Sequence, residues 1–152
     1  MNATIARNIA LRIHAGQHDR FGAPIVDHVG RVACAVDTEA QPVAWLHDAA
    51  EQTDITASEL RSAGMSRDEA AALELLTRTP AESYELYALR IAYADGEAGR
   101  LARIVKLADL DDHIAHRVHA ADVPPYAWAR RRIAAAQARQ MAPGRDARAQ
   151  AG

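Results

Sequence analysis

A histidine and an aspartate, His47 and Asp48, stand side by side directly after the nearly apolar residues 42–46. Burying two such groups without partners is costly, so any fold of this chain must supply partners for them. A divalent metal ion is one solution, because neutral imidazole and carboxylate are a good ligand pair for such ions. A hydrogen bond between the two side chains in the core is the other. The spacing alone leaves both solutions open.

Helix signals dominate the rest of the 152-residue chain, and no useful stretch alternates apolar and polar residues as a strand would. Helical periodicity predicts helices over residues 5–17, 25–36, 41–52, 97–119 and 126–140. Thr56, Ser66 and Thr79 each begin a capping-box pattern, with a glutamate three positions later. We therefore predict an all-α fold of seven or eight helices, forming one domain over residues 1–140 with a flexible tail at 141–152.

Composition excludes several other classes of protein. The single cysteine, Cys34, excludes an internal disulfide and a cysteine-based zinc site. No stretch approaches the roughly 18 apolar residues of a membrane span, so we expect a cytoplasmic protein without a membrane partner. The net charge is −2. The basic residues near the C-terminal end are typical of solvated surface, so no nucleic-acid partner is expected; they are Arg130, Arg131, Arg132, Arg139, Arg145 and Arg148. The sequence does not indicate the oligomeric state.

Two further residues extend the pattern around His47 and Asp48. Glu51 follows them by four and three positions, on the same helix face. We predict that Glu51 holds or deprotonates a water molecule bound to the metal ion. His28 precedes apolar residues at the start of its predicted helix. His28 is a candidate ligand, with a half-buried structural histidine as the alternative.

A second cluster of polar residues lies further along the chain. Asp109 falls on the apolar stripe of its helix and is expected to point inward. Lys106 is the only lysine, against 17 arginines, which hints at a specific role. His113 is one turn past Asp109 on the same face. We predict that His113 contacts a substrate phosphate or protonates a leaving group; the alternative is a surface position in line with His116 and His119.

Taken together, five segments resemble the HD-domain metal phosphohydrolases, in particular the RelA/SpoT-type hydrolase domain and its small stand-alone bacterial relatives. The matching segments follow the family's order and spacing over roughly residues 5–118; they are residues 10–17, 21–28, 46–53, 76–84 and 105–112. The resemblance implies an all-helical fold with its site in a central cleft. It also implies hydrolysis of a nucleotide, with guanosine tetra- or pentaphosphate as the family's substrate.

The resemblance further implies roles for individual residues. In the family, one divalent ion, commonly manganese, is bound at positions that correspond here to His28, His47, Asp48 and Asp109. Glu51 corresponds to the catalytic glutamate. Basic residues of the first helix and the following loop handle the nucleotide. Their counterparts are Arg12 and Arg20, with His14 beside them, and Lys106 is placed with the substrate-binding group.

Three positions depart from the family pattern. The Asp that follows the family's catalytic Glu is Gln52, the Asn one turn after the last ligand is His113, and the Pro after the first ligand is Val29. A glutamine cannot accept a proton or supply negative charge. Two hypotheses therefore stand: a metal-dependent phosphohydrolase, and a degenerate relative that binds a nucleotide or a partner without turnover. A nucleic-acid-binding helical domain is a third, weaker hypothesis.

Overall fold

The computed structural model describes residues 1–117, 119, 121 and 123–141, and these residues form helices joined by short loops. The α-helices are α1 Ala3–Ile13, α2 Ile25–Cys34, α3 Gln41–Leu46, α4 Ala49–Gln52, α5 Ala57–Ser62, α6 Arg67–Leu76, α7 Tyr84–Tyr93, α8 Gly96–Asp112 and α9 Val123–Met141. A π-helical turn, His113–Arg117, continues α8. The predicted all-α class is confirmed. Apart from Met141, which ends α9, the predicted tail lies outside the described residues.

Two of the three predicted capping boxes are present. The side chains of Thr56 and Ser66 accept from the backbone N–H groups of Glu59 and Glu69, and each glutamate binds back to the cap residue. The prediction at Thr79 is wrong. Ser83 caps α7 instead, and the guanidinium of Arg90 donates two hydrogen bonds to the carboxylate of Glu82.

Several helix boundaries differ from the predicted ones. The first helix ends at Ile13 rather than at residue 17, and α8 gives way to the π-helical turn after Asp112. The helix predicted over residues 41–52 is two helices, separated by His47 and Asp48. Asp48 has φ −90° and ψ −6°, in the bridge region where many active-site residues lie. The two polar residues therefore lie at the junction between α3 and α4.

The long helix α8 lies at the centre of the bundle, packed against α6, α9, α2, α7 and α3. Helices α1 and α2 also pack on α3, and α7 packs on α9. The core is rich in alanine and branched aliphatic residues, and Val105 and Leu110 of α8 are nearly inaccessible to solvent. Helix α2, the α3–α4 turn and the C-terminal half of α8 therefore meet, and the predicted site lies where they meet.

Candidate metal centre

Four of the predicted ligands converge on one point, although they come from three separate parts of the chain. Nε2 of His28 lies 3.2 Å from Nε2 of His47 and 3.2 Å from Oδ1 of Asp109. Nε2 of His47 lies 3.3 Å from Oδ1 of Asp48 and 3.6 Å from Oδ1 of Asp109. Both histidines and Asp109 are almost completely buried. The bundle thus brings two imidazoles and two carboxylates together inside the protein.

In each of the two imidazole rings, the nitrogen on the side away from the cluster, Nδ1, contacts a different hydrogen-bond acceptor. Nδ1 of His28 lies 2.7 Å from Oδ2 of Asp112, and Nδ1 of His47 lies 2.8 Å from the carbonyl oxygen of Ala44. Carboxylate and carbonyl oxygens only accept, so each Nδ1 is the donor. Each Nε2 is then the atom that faces the cluster.

The carboxylates of the cluster and their cationic partners shift one another's pKa values. Burial opposes the charged form of His47, but the carboxylates of Asp48 and Asp109 outweigh it and raise the pKa of His47 to about 9. Burial also opposes the charge of Asp109, yet Lys106 and the surrounding imidazoles hold its pKa well below the usual range. Partial burial opposes the charge of Asp112, but hydrogen bonds from Arg31 and His28 lower its pKa to about 2. The negative potential that Asp48 and Asp109 create at His47 also favours a bound cation.

The donor set and its spacing fit a divalent metal ion. Ligands at about 2.1 Å from an ion and at right angles to one another lie about 3.0 Å apart, which is close to the spacings in this cluster. Oδ1 of Asp109 is buried and accepts no hydrogen bond in good geometry, although Nδ1 of His113 lies 2.8 Å from it, so this oxygen is a candidate ligand atom. Imidazole with carboxylate suits manganese, iron or zinc better than calcium.

A polar hollow of about 240 Å³ opens beside the cluster. Asp48 forms part of its wall, together with Glu51, Arg78, Lys106 and Tyr84. One oxygen of Glu51 accepts the backbone N–H of Arg78, which fixes the carboxylate at this wall. Nζ of Lys106 donates to Oδ2 of Asp109 at 2.7 Å. Lys106 therefore neutralises a predicted ligand while lining the hollow.

A second hollow of about 340 Å³ adjoins the first and shares Gln52, His113 and Tyr126 with it. Its other walls include Arg20 and Phe21. The guanidinium of Arg20 lies 4.9 Å from the centre of the Phe21 ring. A cation and an exposed aromatic ring thus line the outer part of the cleft, and the carboxylates of Asp48 and Glu51 line its inner part.

His113 lies between the two hollows, nearer to the cluster than its sequence position indicated. Its Nδ1 is 2.8 Å from Oδ1 of Asp109, and its ring centre is 4.9 Å from that of His28. Burial opposes its charged form, but the adjacent Asp109 carboxylate outweighs it and raises the pKa of His113. The side chain is 25% exposed, so His113 is more buried than His116, whose side chain is 55% exposed.

The structure does not bring all of the predicted substrate-binding residues into the cleft. Arg12 is exposed on α1 and does not line either hollow. His14 is 1% exposed, and its Nδ1 lies 2.8 Å from Oε1 of Gln17. Gln17 in turn donates to the backbone carbonyl of Gln52. His14 is thus linked to the cleft indirectly, and direct contact of Arg12 or His14 with a nucleotide has no support in the geometry.

Sequence reasoning missed several polar residues at the site. Asp112 and Arg31 support His28 from behind, and Arg78 lines the inner hollow. Arg31 follows His28 by three positions on α2, which places the two side chains on one helix face. This spacing could have indicated that His28 and Arg31 bind the same acidic residue, which in the structure is Asp112.

Gln52, the residue that departs from the family pattern, contacts a predicted ligand. Its Nε2 donates to Oδ2 of Asp48 at 3.0 Å. An acidic side chain at this position could not make that contact while ionised. Gln52 therefore holds the Asp48 carboxylate by a hydrogen bond and takes no part as a proton acceptor.

A larger hollow, about 620 Å³, lies on the surface of α5 and α6 and is lined mainly by small and charged side chains. Its carboxylate is Glu74 and its cations are Arg61 and Arg67, and it contains no histidine. It offers no metal-ligating cluster, so its size does not make it the catalytic candidate.

Together, the helices and the cluster define an all-helical domain with a His/Asp site in a central cleft. A solved structure described as a metazoan ortholog of SpoT that hydrolyses ppGpp and plays a role in starvation responses has the same fold. The TM-score is 0.68, over 89% of this chain and 84% of that chain, with 19% sequence identity. The match confirms the all-helical fold expected from the sequence motifs, since the two chains share it.

Comparison of sequences alone does not detect this similarity. No protein-family model matches the chain, and no curated protein sequence matches it. None of the described helices combines the length and the apolar character needed to cross a bilayer.

Proposed function

We propose that this protein is a metal-dependent phosphohydrolase that acts on a nucleotide, with guanosine tetra- or pentaphosphate as the first substrate to test. One observation carries the proposal: two imidazoles and two carboxylates converge beside a cleft, where Asp48 reaches its inner hollow and a cation and an aromatic ring line its outer hollow. The fold shared with a ppGpp-hydrolysing protein supports the choice of substrate.

His28, His47, Asp48 and Asp109 would hold the ion, for which manganese is the first candidate. A bound divalent ion neutralises phosphate charge and lowers the pKa of a coordinated water molecule towards neutrality. Lys106 keeps Asp109 ionised, because its ammonium group donates to that carboxylate inside the protein. Gln52 donates a hydrogen bond to the carboxylate of Asp48.

Glu51 is the proposed general base. Its carboxylate lines the inner hollow beside Asp48, and the backbone N–H of Arg78 binds one of its oxygens. In the proposed reaction, the oxygen of a water molecule forms a bond to phosphorus while its proton passes to Glu51. The bond from that phosphorus to the ribose 3′ oxygen breaks, and pyrophosphate is released.

The 3′ oxygen requires a proton as it leaves, and His113 is the proposed donor. Its ring lies between the inner and outer hollows, where a leaving ribose would lie. The outer hollow would take the nucleoside, with Arg20 and Phe21 at its wall. Arg78 at the inner hollow would face the phosphates, since a guanidinium binds phosphate oxygens well.

A second candidate function is nucleotide binding without turnover, and the contact of Gln52 with Asp48 favours it. The family's acidic residue is absent there, so one source of negative charge and one proton acceptor are missing. Incubation of the purified protein with Mn²⁺ and a panel of nucleotides, followed by ion-exchange chromatography of the products, separates the two. Release of pyrophosphate supports the hydrolase, whereas tight binding with every nucleotide intact supports the second function.

A further inference from the structure

Asp112 lies behind the cluster, at the end of α8, and is 8% exposed. It does not face the cleft, and neither hollow is lined by it. Its Oδ2 accepts a hydrogen bond from Nδ1 of His28 at 2.7 Å. Because a carboxylate can only accept, this contact puts the ring proton on Nδ1 and leaves the lone pair of Nε2 directed at the cluster.

Arg31 holds Asp112 in turn. Its Nε donates to Oδ1 at 2.6 Å, and its Nη2 donates to Oδ2 at 3.0 Å. This two-pronged arrangement fixes the plane of the carboxylate as well as its position. Arg31 and His28 lie one turn apart on α2, so a single helix face presents both donors to one carboxylate of α8.

We propose that Asp112 and Arg31 are positioning residues that fix His28 as the Nδ1–H tautomer, with Nε2 aimed at the metal ion. This inference rests on the proposed metal centre. A ligating histidine whose second nitrogen donates to a carboxylate is oriented and made more basic by that partner. Nδ1 of His47 contacts the neutral carbonyl oxygen of Ala44, whereas Nδ1 of His28 contacts a charged carboxylate. The orientation of the His28 ring is therefore fixed by the stronger acceptor.

The contact also ties the metal centre to the packing of α2 on α8. His28 and Arg31 belong to α2, whereas Asp109 and Asp112 belong to α8 and lie three residues apart. One side of the His28 ring thus meets Asp109 and the other meets Asp112. A small movement of α2 along α8 would break both contacts, which makes this pairing a determinant of ligand geometry.

The test compares Asp112→Asn with Asp111→Asn, a matched variant one residue away. Asp111 is exposed and pairs with Arg130, so its loss removes a carboxylate without touching His28. Mn²⁺ affinity is measured by titration calorimetry on protein stripped of metal, and circular dichroism checks the fold. We expect Asp112→Asn to bind Mn²⁺ about 10- to 100-fold more weakly and Asp111→Asn to bind it as the wild type does.

Arg31→Gln supplies an intermediate case, because it leaves Asp112 in place but removes the two donors that orient it. A smaller loss of Mn²⁺ affinity than in Asp112→Asn is expected. The tautomer is read independently of any variant, by long-range ¹H–¹⁵N spectra of Zn²⁺-loaded wild-type protein. The spectra should show a protonated Nδ1 and a metal-bound Nε2 for His28.

Each outcome bears on one proposal or the other. Wild-type affinity in Asp112→Asn, or zinc bound through Nδ1 of His28, overturns the positioning role. If Asp48→Ala also binds Mn²⁺ as the wild type does, the metal centre itself is wrong, and the proposed function fails together with the positioning role. Weak binding in Asp48→Ala with unchanged binding in Asp112→Asn rejects the positioning role alone.

Discussion

Nε2 of His28 lies 3.2 Å from Oδ1 of Asp109, although one residue is on α2 and the other on α8. Nδ1 of the same ring lies 2.7 Å from Oδ2 of Asp112, so the proposed tautomer carries its proton there. A bare nitrogen lone pair facing a carboxylate oxygen at this distance is repulsive unless a proton or a metal ion lies between them. The close approach of these two atoms therefore favours a proton or a metal ion between them.

The first prediction concerns metal content. Protein expressed with manganese and then dialysed should retain about one equivalent of the ion. The folded protein already holds the four predicted ligand groups together, and these groups bind an ion when they are deprotonated. Asp48→Ala should lose most of it, since this variant removes a carboxylate 3.3 Å from Nε2 of His47. Elemental analysis by mass spectrometry measures the content. The control is Asp54→Ala, which removes an exposed aspartate and should keep the wild-type metal content. Full metal content in Asp48→Ala would contradict the ligand assignment.

The second prediction concerns Glu51. Glu51→Gln should lower kcat by about 100- to 10,000-fold, the usual contribution of a general base. An amide oxygen can still accept the N–H of Arg78, so the local structure and the metal content should survive. Steady-state kinetics beside elemental analysis measures both. Glu85→Gln, an exposed glutamate on α7, is the control and should keep wild-type kcat. Retained activity in Glu51→Gln would leave Glu51 with a structural role only.

The third prediction concerns His113. If it protonates the leaving group, His113→Asn should lower kcat on a guanosine 3′-polyphosphate by about 100-fold. An aryl phosphate needs little help from an acid, because its leaving group is a weak base. The loss on p-nitrophenyl phosphate should therefore be far smaller, and the ratio of the two losses is the measurement. Equal losses on both substrates would argue that His113 acts through Asp109, which lies 2.8 Å away.

The fourth prediction concerns stability. A Cβ on Gly99 would lie 2.1 Å from the carbonyl oxygen of Ala94, so Gly99→Ala must displace backbone. We expect a loss of about 2 kcal/mol in the free energy of unfolding, as for other overpacked sites. Gly30 is the matched control, since its Cβ would meet only the Trp45 ring, at 3.4 Å. Gly30→Ala should be neutral or stabilising by up to about 1 kcal/mol, from helix propensity. Urea denaturation of both variants measures the difference.

Local patterns predicted two of the three capped helix starts. At Thr56 and Ser66 the capping residue and its glutamate lie within four positions, and both boxes form, although the N-terminal ammonium of Met1 also binds Oε2 of Glu69. At Thr79 the same pattern failed. Glu82 binds Arg90, which lies eight residues away, and Ser83 offers a second cap. A capping box is a local contact of about 1 kcal/mol, so an ion pair and a rival cap can displace it.

The sequence by itself determined the all-helical class and the segments that form most of the helices, because periodicity and capping are local properties. The resemblance of its motifs to the HD-domain phosphohydrolases also indicated the four residues that meet at the cluster. Only the tertiary structure decided that the helix over residues 41–52 breaks at His47 and Asp48. Tertiary packing also buried His14 and brought Asp112 to His28, 84 residues away. These contacts depend on the packing of α2 on α8, and no local pattern of residues encodes a contact between chain segments so far apart.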